Sequence, residues 1–200
     1  MNIFKLSILI VTSFIVSTCS NDQALRAKAN ELAHKFIITD GHIDTPWKLS
    51  KNYEDISLRT KTGDFDYVRA KEGGLDVPFM AIYIPSSYLE TGGAKEKADS
   101  LIDMVEQIAD KDPDKFEIAY SLADANRIFK EGKVALPMGM ENGAGIEDDI
   151  NNLKHFYDRG IRYITLTHSK DNLICDSSYD EEEDTWGGLS PYGRKVVKEM

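Results

Sequence analysis

Residues 38–47, "ITDGHIDTPW", set a histidine and an aspartate two positions apart at the end of an apolar run. In an extended strand, residues two apart face the same side. His42 and Asp44 would then aim an imidazole nitrogen and a carboxylate oxygen at one point, a donor pair suited to zinc or a similar divalent ion. On spacing alone, a hydrogen-bonded pair at a strand end is the simpler reading. Two more residues shift the balance. Glu141 follows the apolar run "ALPMGM", and its two oxygens could bridge metal ions roughly 3.5–4 Å apart. Its ordinary alternative is a salt bridge. His168 closes "YITLTH". Three strand ends thus carry groups able to bind a metal or polarise a carbonyl, and all would converge on one face.

Those ends need a scaffold. The periodicity predicts a helix over residues 22–36, with Leu25, Ala29, Leu32 and Phe36 on one side. "FIITDGHID" reads as a buried strand, and a second strand runs over residues 77–84 after a glycine break. A long amphipathic helix covers residues 93–111, with Leu101, Ile102, Val105 and Ile108 at helical spacing. Ser121 is the expected N-cap of the next helix and Gly132 its stop. "VALPMGMENG" is the third strand and "IRYITLTH" the fourth, with a helix ending at Gly160 between them. Ser190 and Pro191 open a last helix. His34 and His155 fall on helices, as surface or packing residues. Strands alternating with helices mean an α/β fold with a parallel sheet. A (β/α)8 TIM-type barrel takes about 250 residues, and its active site lies at the C-terminal strand ends. The chain is expected to supply about the first half of such a barrel, at residues 20–200. Alone, that open half should not catalyse.

The 200 residues carry a formal net charge of −10. No basic stripe appears, so nucleic acid is not an expected partner. Residues 1–19 have a lone Lys5, an apolar run too short for the roughly 20 residues of a spanning helix, and Cys19. "VSTC" resembles a bacterial lipoprotein box, although Thr18 departs from the usual small residue. Lipidation at Cys19, or a plain secretory signal cut nearby, places the protein in the bacterial envelope, lipid-anchored or periplasmic. The other cysteine, Cys175, then has no intramolecular partner, and reads as a loop side chain without chemistry. The "DEEED" run reads as a solvated loop.

The blocks "DGHIDTPW", "EGGLDVPFMAIYIP", "GKVALPMGMENG", "IEDDINNLKHFYDRGIRYITLTH" and "DTWGGLSPYGRKVVKEM" together resemble the renal (membrane) dipeptidase family of zinc peptidases. The resemblance runs in order from about Phe36 to the end. It implies a (β/α)8 barrel with two zinc ions that hydrolyses dipeptides and accepts a D-residue at the C-terminal position. It also implies that His42 and Asp44 bind the first zinc, that Glu141 bridges both ions, and that His168 contacts the substrate. The family's remaining zinc ligands would lie beyond Met200. Two departures bear on the loops. Asn142, Gly143 and Ala144 replace the usual Gly-Gly-His after the bridging glutamate, and "SKDNLIC" follows His168.

The reaction so implied is metal-assisted hydrolysis of a dipeptide, with the membrane reached through the N-terminal lipid and a homodimer possible. Two rivals remain. One is another amidohydrolase acting on acylated amino acids, whose usual first-strand marker is His-x-His where this chain has Asp44. The other is a catalytically dead, lipid-anchored binding protein on the same fold.

Overall fold

The computed structural model describes residues 22–180 and 184–200. Cys19, the leader and the middle of the acidic run lie outside the described residues. Residues 22–35 form helix α1. It leads to β1 (Thr39–Ile43), α2 (Thr45–Lys51), α3 (Tyr67–Gly73) and β2 (Val77–Tyr83). The short α4 (Tyr88–Thr91) and long α5 (Ala94–Lys111) follow, then β3 (Phe116–Ile118), α6 (Leu122–Lys130), β4 (Val134–Leu136) and β5 (Met138–Glu141). A 3-10 turn (Gly143–Ile146), α7 (Asn151–Asp158), β6 (Ile161–Thr165) and α8 (Pro191–Glu199) come last.

Local chemistry sets several of these boundaries. The side chains of Asp66, Ser121 and Ser190 accept from backbone N–H groups in the first turns of α3, α6 and α8, satisfying donors that a helix start leaves open. Gly74 ends α3 at φ 79°, a left-handed cap.

The fold is α/β with a parallel sheet. β1, β2, β5 and β6 form one four-stranded sheet in that order, every pair parallel. One face is covered by helices. Met80, Ile82 and Ile84 on the β2 side and Met138 and Met140 on β5 are fully buried in one cluster with Ala98, Leu101, Ile102 and Val105 of α5. The alternate residues of the same strands, Tyr83, Gly139 and Glu141, belong to the other face. That face carries the chemistry. Among the described residues no helix is long and apolar enough to cross a membrane.

Three expectations need correction. The third strand is two strands. Pro137 has no N–H to donate. Before it, β4 pairs with β3 in a separate two-stranded sheet; after it, β5 pairs with β2. β1 is mostly exposed rather than buried, because it is an edge strand with β2 on one side only. Leu25 on α1 and Phe36 just past it are exposed too, at 61% and 55%. Finally, β6 stops at Thr165, so His168 belongs to the following loop and not to a strand.

Candidate metal centre

His42 reaches its position through an irregular strand. Between Asp40 and Ile43, β1 holds one more residue than β2 spends between Pro78 and Met80. Such a bulge re-aims side chains, and bulges gather beside active sites. A matching irregularity lies in β6, where Ile161 and Ile164 pair with Met138 and Met140 of β5. It holds Tyr163. The Tyr163 ring lies over Gly139, where an added Cβ would sit 2.0 Å from the ring carbon Cζ. Only a residue without a side chain admits the ring there. Phe79 packs against it at 5.5 Å. Tyr163 thereby spans from β6 to β1. Its hydroxyl donates to the Gly41 carbonyl at 3.0 Å and lies 3.2 Å from His42 Nδ1.

That pairing fixes the imidazole. A phenol has one hydrogen, and a carbonyl can only accept. The Tyr163 proton therefore goes to Gly41, and toward Nδ1 the phenol oxygen accepts. Nδ1 carries the hydrogen, which leaves Nε2 as the nitrogen aimed at the centre. Nε2 lies 3.3 Å from Asp44 Oδ1 and 3.3 Å from Glu141 Oε2. One donor atom from each of the three residues falls within 4.8 Å of the other two.

Asp44 does not follow the strand parity expected of it. It stands one residue past β1, at the N-cap position of α2, with φ −78° and ψ 18°. Its side chain makes no capping bond, and Pro46 in the first turn has no N–H that needs one. The carboxylate is free for the centre. Glu141 ends β5 and is held from behind. The buried Asn142 adopts φ 79°, in the left-handed region. Its Nδ2 donates to the Ile84 carbonyl, while its Oδ1 accepts from Ala144 N and from Asn172 Nδ2. Ala144 is buried and offers no donor to the centre. Asn142 thus ties the end of β5 to the end of β2 and to the loop after His168.

The three donors fit a divalent ion. Two carboxylates converge on one imidazole nitrogen, and among the described residues no lysine or arginine pairs with either. Burial first, and then the charges of Glu141 and Asp44, raise the pKa values of the Tyr83 and Tyr163 phenols, so both stay neutral hydroxyls. His168 stands apart from the trio. Its Nε2 faces the other Glu141 oxygen, Oε1, at 3.1 Å. Its ring meets the Tyr83 ring edge-on at 5.1 Å. Its Nδ1 is buried with no hydrogen-bond partner. The Ser177 hydroxyl pins the His168 carbonyl at 2.5 Å. Asn172 organises the same loop, accepting from Ile174 N and Cys175 N. Cys175 is buried there, and burial raises its thiol pKa, which suits an inert side chain. His34 is exposed on α1, and His155 pairs with Asp99 at 2.7 Å on the helical side.

Tyr163 was not legible as a functional residue. Its signal was Gly139, a glycine inside a buried strand, which marks a place where another group approaches closely. Tyr163→Phe should keep the fold and weaken metal binding about 10–100-fold, the usual cost of losing a ligand's supporting partner. Competition against a chelating dye measures it; an unchanged affinity refutes the role. Gly139→Ala should show the same defect together with about 1–3 kcal/mol of lost stability from overpacking against the ring.

A family model described as membrane dipeptidase (peptidase family M19) matches residues 26–200. An uncharacterized dipeptidase of Schizosaccharomyces pombe is 32% identical over 188 residues, covering 86% of this chain and 46% of that protein. The crystal structure of the probable dipeptidase PvdM from Pseudomonas aeruginosa superimposes with a TM-score of 0.77 at 26% identity, covering 88% of this chain and 47% of the other. The dipeptidase AC, described as a metallopeptidase of the same family, gives 0.70 at 25% identity, covering 82% and 53%. The chain spans about half the length of the curated relatives it matches.

Proposed function

The chain belongs to the membrane dipeptidase family, and on that premise we propose that it carries the first part of the metal centre of a zinc-dependent dipeptidase. His42 and Asp44 hold one zinc ion, and Glu141 reaches both that ion and a second. The observation that carries this reading is the convergence of His42 Nε2, Asp44 and Glu141 within 4.8 Å, with neither carboxylate paired to a lysine or arginine among the described residues. Glu141 also presents its two oxygens in different directions, Oε2 to His42 and Oε1 to His168, as a bridging ligand requires. When bound, zinc supplies Lewis-acid polarisation of the peptide carbonyl and makes water acidic enough to attack near neutral pH.

The chain's own residues do the rest. Tyr163 holds His42 through Nδ1 with Nε2 turned toward the centre, where a bound metal would take its lone pair. Asn142 holds Glu141 at its strand end. His168 is the substrate contact: its Nε2 is the nitrogen that can turn from Glu141 to a carbonyl oxygen. The substrate is a dipeptide, with a D-residue tolerated at its C-terminal position. The sheet supports a closed eight-stranded barrel in the whole protein, since successive strands β1, β2, β5 and β6 add at one edge without the order reversal of a doubly wound sheet. The test is zinc content together with hydrolysis of L,L and L,D dipeptides by the purified full-length protein. A zinc-loaded protein that cleaves none of them overturns the reading.

An envelope location rests on the leader. Cys19→Ala should move the protein from the membrane fraction to the soluble fraction; unchanged fractionation refutes lipidation.

A further inference from the structure

We propose that the cavity between Trp47 and the turn at residues 85–91 is an anion subsite of the dipeptide site, in which Lys51 and Lys97 receive a side-chain carboxylate of the substrate. This rests on the dipeptidase reading above and adds a substrate class to it, dipeptides with an acidic residue.

The cavity holds about 470 Å³, and Trp47, Lys51, Tyr83, Ser87, Tyr88 and Lys97 are among its walls. A pocket of this size suits a small ligand. Two ammonium groups are gathered on one indole there. Lys51 Nζ lies 4.2 Å from the Trp47 ring centroid and Lys97 Nζ 5.2 Å. Neither makes an ion pair with a carboxylate among the described residues, in a chain whose acids outnumber its bases. The ring attracts both cations, but the two repel each other. Burial, and then the charge of Lys51, lower the pKa of Lys97. An anion between them removes the repulsion and replaces lost hydration.

The cavity shares a wall with the metal centre. Trp47 meets Tyr83 edge-on at 5.2 Å, and Tyr83 meets His168 at 5.1 Å. The centre lies across that wall, so Lys51 and Lys97 are the cationic groups on the cavity side. The lysines can take a substrate's extra carboxylate while its peptide bond points past Tyr83 toward the centre. Charge complementarity of this kind gives specificity and orientation.

The experiment compares kcat/KM for Ala-Glu and Glu-Ala with that for the neutral isosteres Ala-Gln and Gln-Ala. The protein is the zinc-loaded full-length chain, as wild type, Lys51→Met/Lys97→Met and Lys51→Arg/Lys97→Arg. Methionine keeps an apolar stem against Trp47 and removes the charge. The wild type should favour one acidic dipeptide over its isostere about tenfold, mainly through KM, as for a charge-assisted contact made in the ground state. The methionine pair should bring that ratio close to one, and the arginine pair should restore it. Calorimetric titration with glutarate, which has no peptide bond, reads the cavity separately. Glutarate should bind the wild type about tenfold more tightly than the methionine pair. If no dipeptide is cleaved, the dipeptidase reading fails and glutarate still decides the subsite. An acid-to-isostere ratio, or a glutarate affinity, that is the same in wild type and methionine pair overturns the proposal.

Discussion

Glu141→Ala is expected to empty the metal centre and to remove dipeptide turnover to below detection. Among the described residues its carboxylate is the one group paired with both histidines of the site, Oε2 with His42 at 3.3 Å and Oε1 with His168 at 3.1 Å. The side chain is only 16% exposed, so water cannot freely take its place. A supporting residue such as Tyr163 costs about 10–100-fold in metal affinity when removed. If Glu141 serves two ions, as proposed, its loss should cost more than that, because each ion would lose a bond and the charge that neutralised it. Glu141→Gln separates the two losses. It keeps the volume and one acceptor oxygen but not the charge, and should fall between the alanine variant and wild type in zinc content. Metal analysis after gel filtration and an assay with a dipeptide give both numbers. Full zinc with normal turnover in the alanine variant would remove Glu141 from the centre.

The His-x-Asp pair was legible from its residue types, but the reason was only half right. Strand parity predicts that His42 and Asp44 share a face. In the structure Asp44 has left the strand, and a bulge lies between Asp40 and Ile43. The two still meet, because the bulge turns His42 while the N-cap conformation of Asp44 returns its carboxylate to the same point. Spacing reports proximity along the chain; the bulge and the helix start decide direction. Glu141 was legible for a sounder reason. It directly ends a regular strand whose alternate residues, Met138 and Met140, are buried on the opposite face. Residues that depend on tertiary approach were out of reach. Tyr163 matters because Gly139, on the next strand, leaves room for its ring, and Asn142 because three segments meet at its amide. The division of "VALPMGMENG" into two strands was announced by Pro137, whose missing N–H is a local fact, but the partner strand β3 of three residues has no periodicity long enough to detect. The long helix α5 was the most legible element, since its buried face repeats over 18 residues.

His168→Ala should leave the metal content unchanged and lower kcat by about 2.7–4 kcal/mol of transition-state stabilisation, roughly 10²–10³-fold. The separation between these two readouts follows from its geometry. His42, Asp44 and Glu141 form the one close donor group among the described residues, and His168 is not part of it. It touches that group only through Glu141 Oε1, the oxygen turned away from His42. A carboxylate only accepts, so the His168 nitrogen facing it carries a hydrogen. Edge contact with Tyr83 and the Ser177 bond to its carbonyl hold the ring and the backbone, and Nδ1 is buried without a partner. A buried, unsatisfied ring nitrogen costs free energy that an inert packing residue would have no reason to retain. The same ring turned toward substrate spends one nitrogen on the reacting carbonyl and leaves the other for the substrate's remaining polar groups. His168→Gln, which still donates, should recover part of the rate with KM little changed, whereas a structural role would show itself as lost thermal stability in both variants. Loss of zinc from His168→Ala would instead make this residue a ligand, and would require the Oε1 side of Glu141 to be read as part of the first ion's shell.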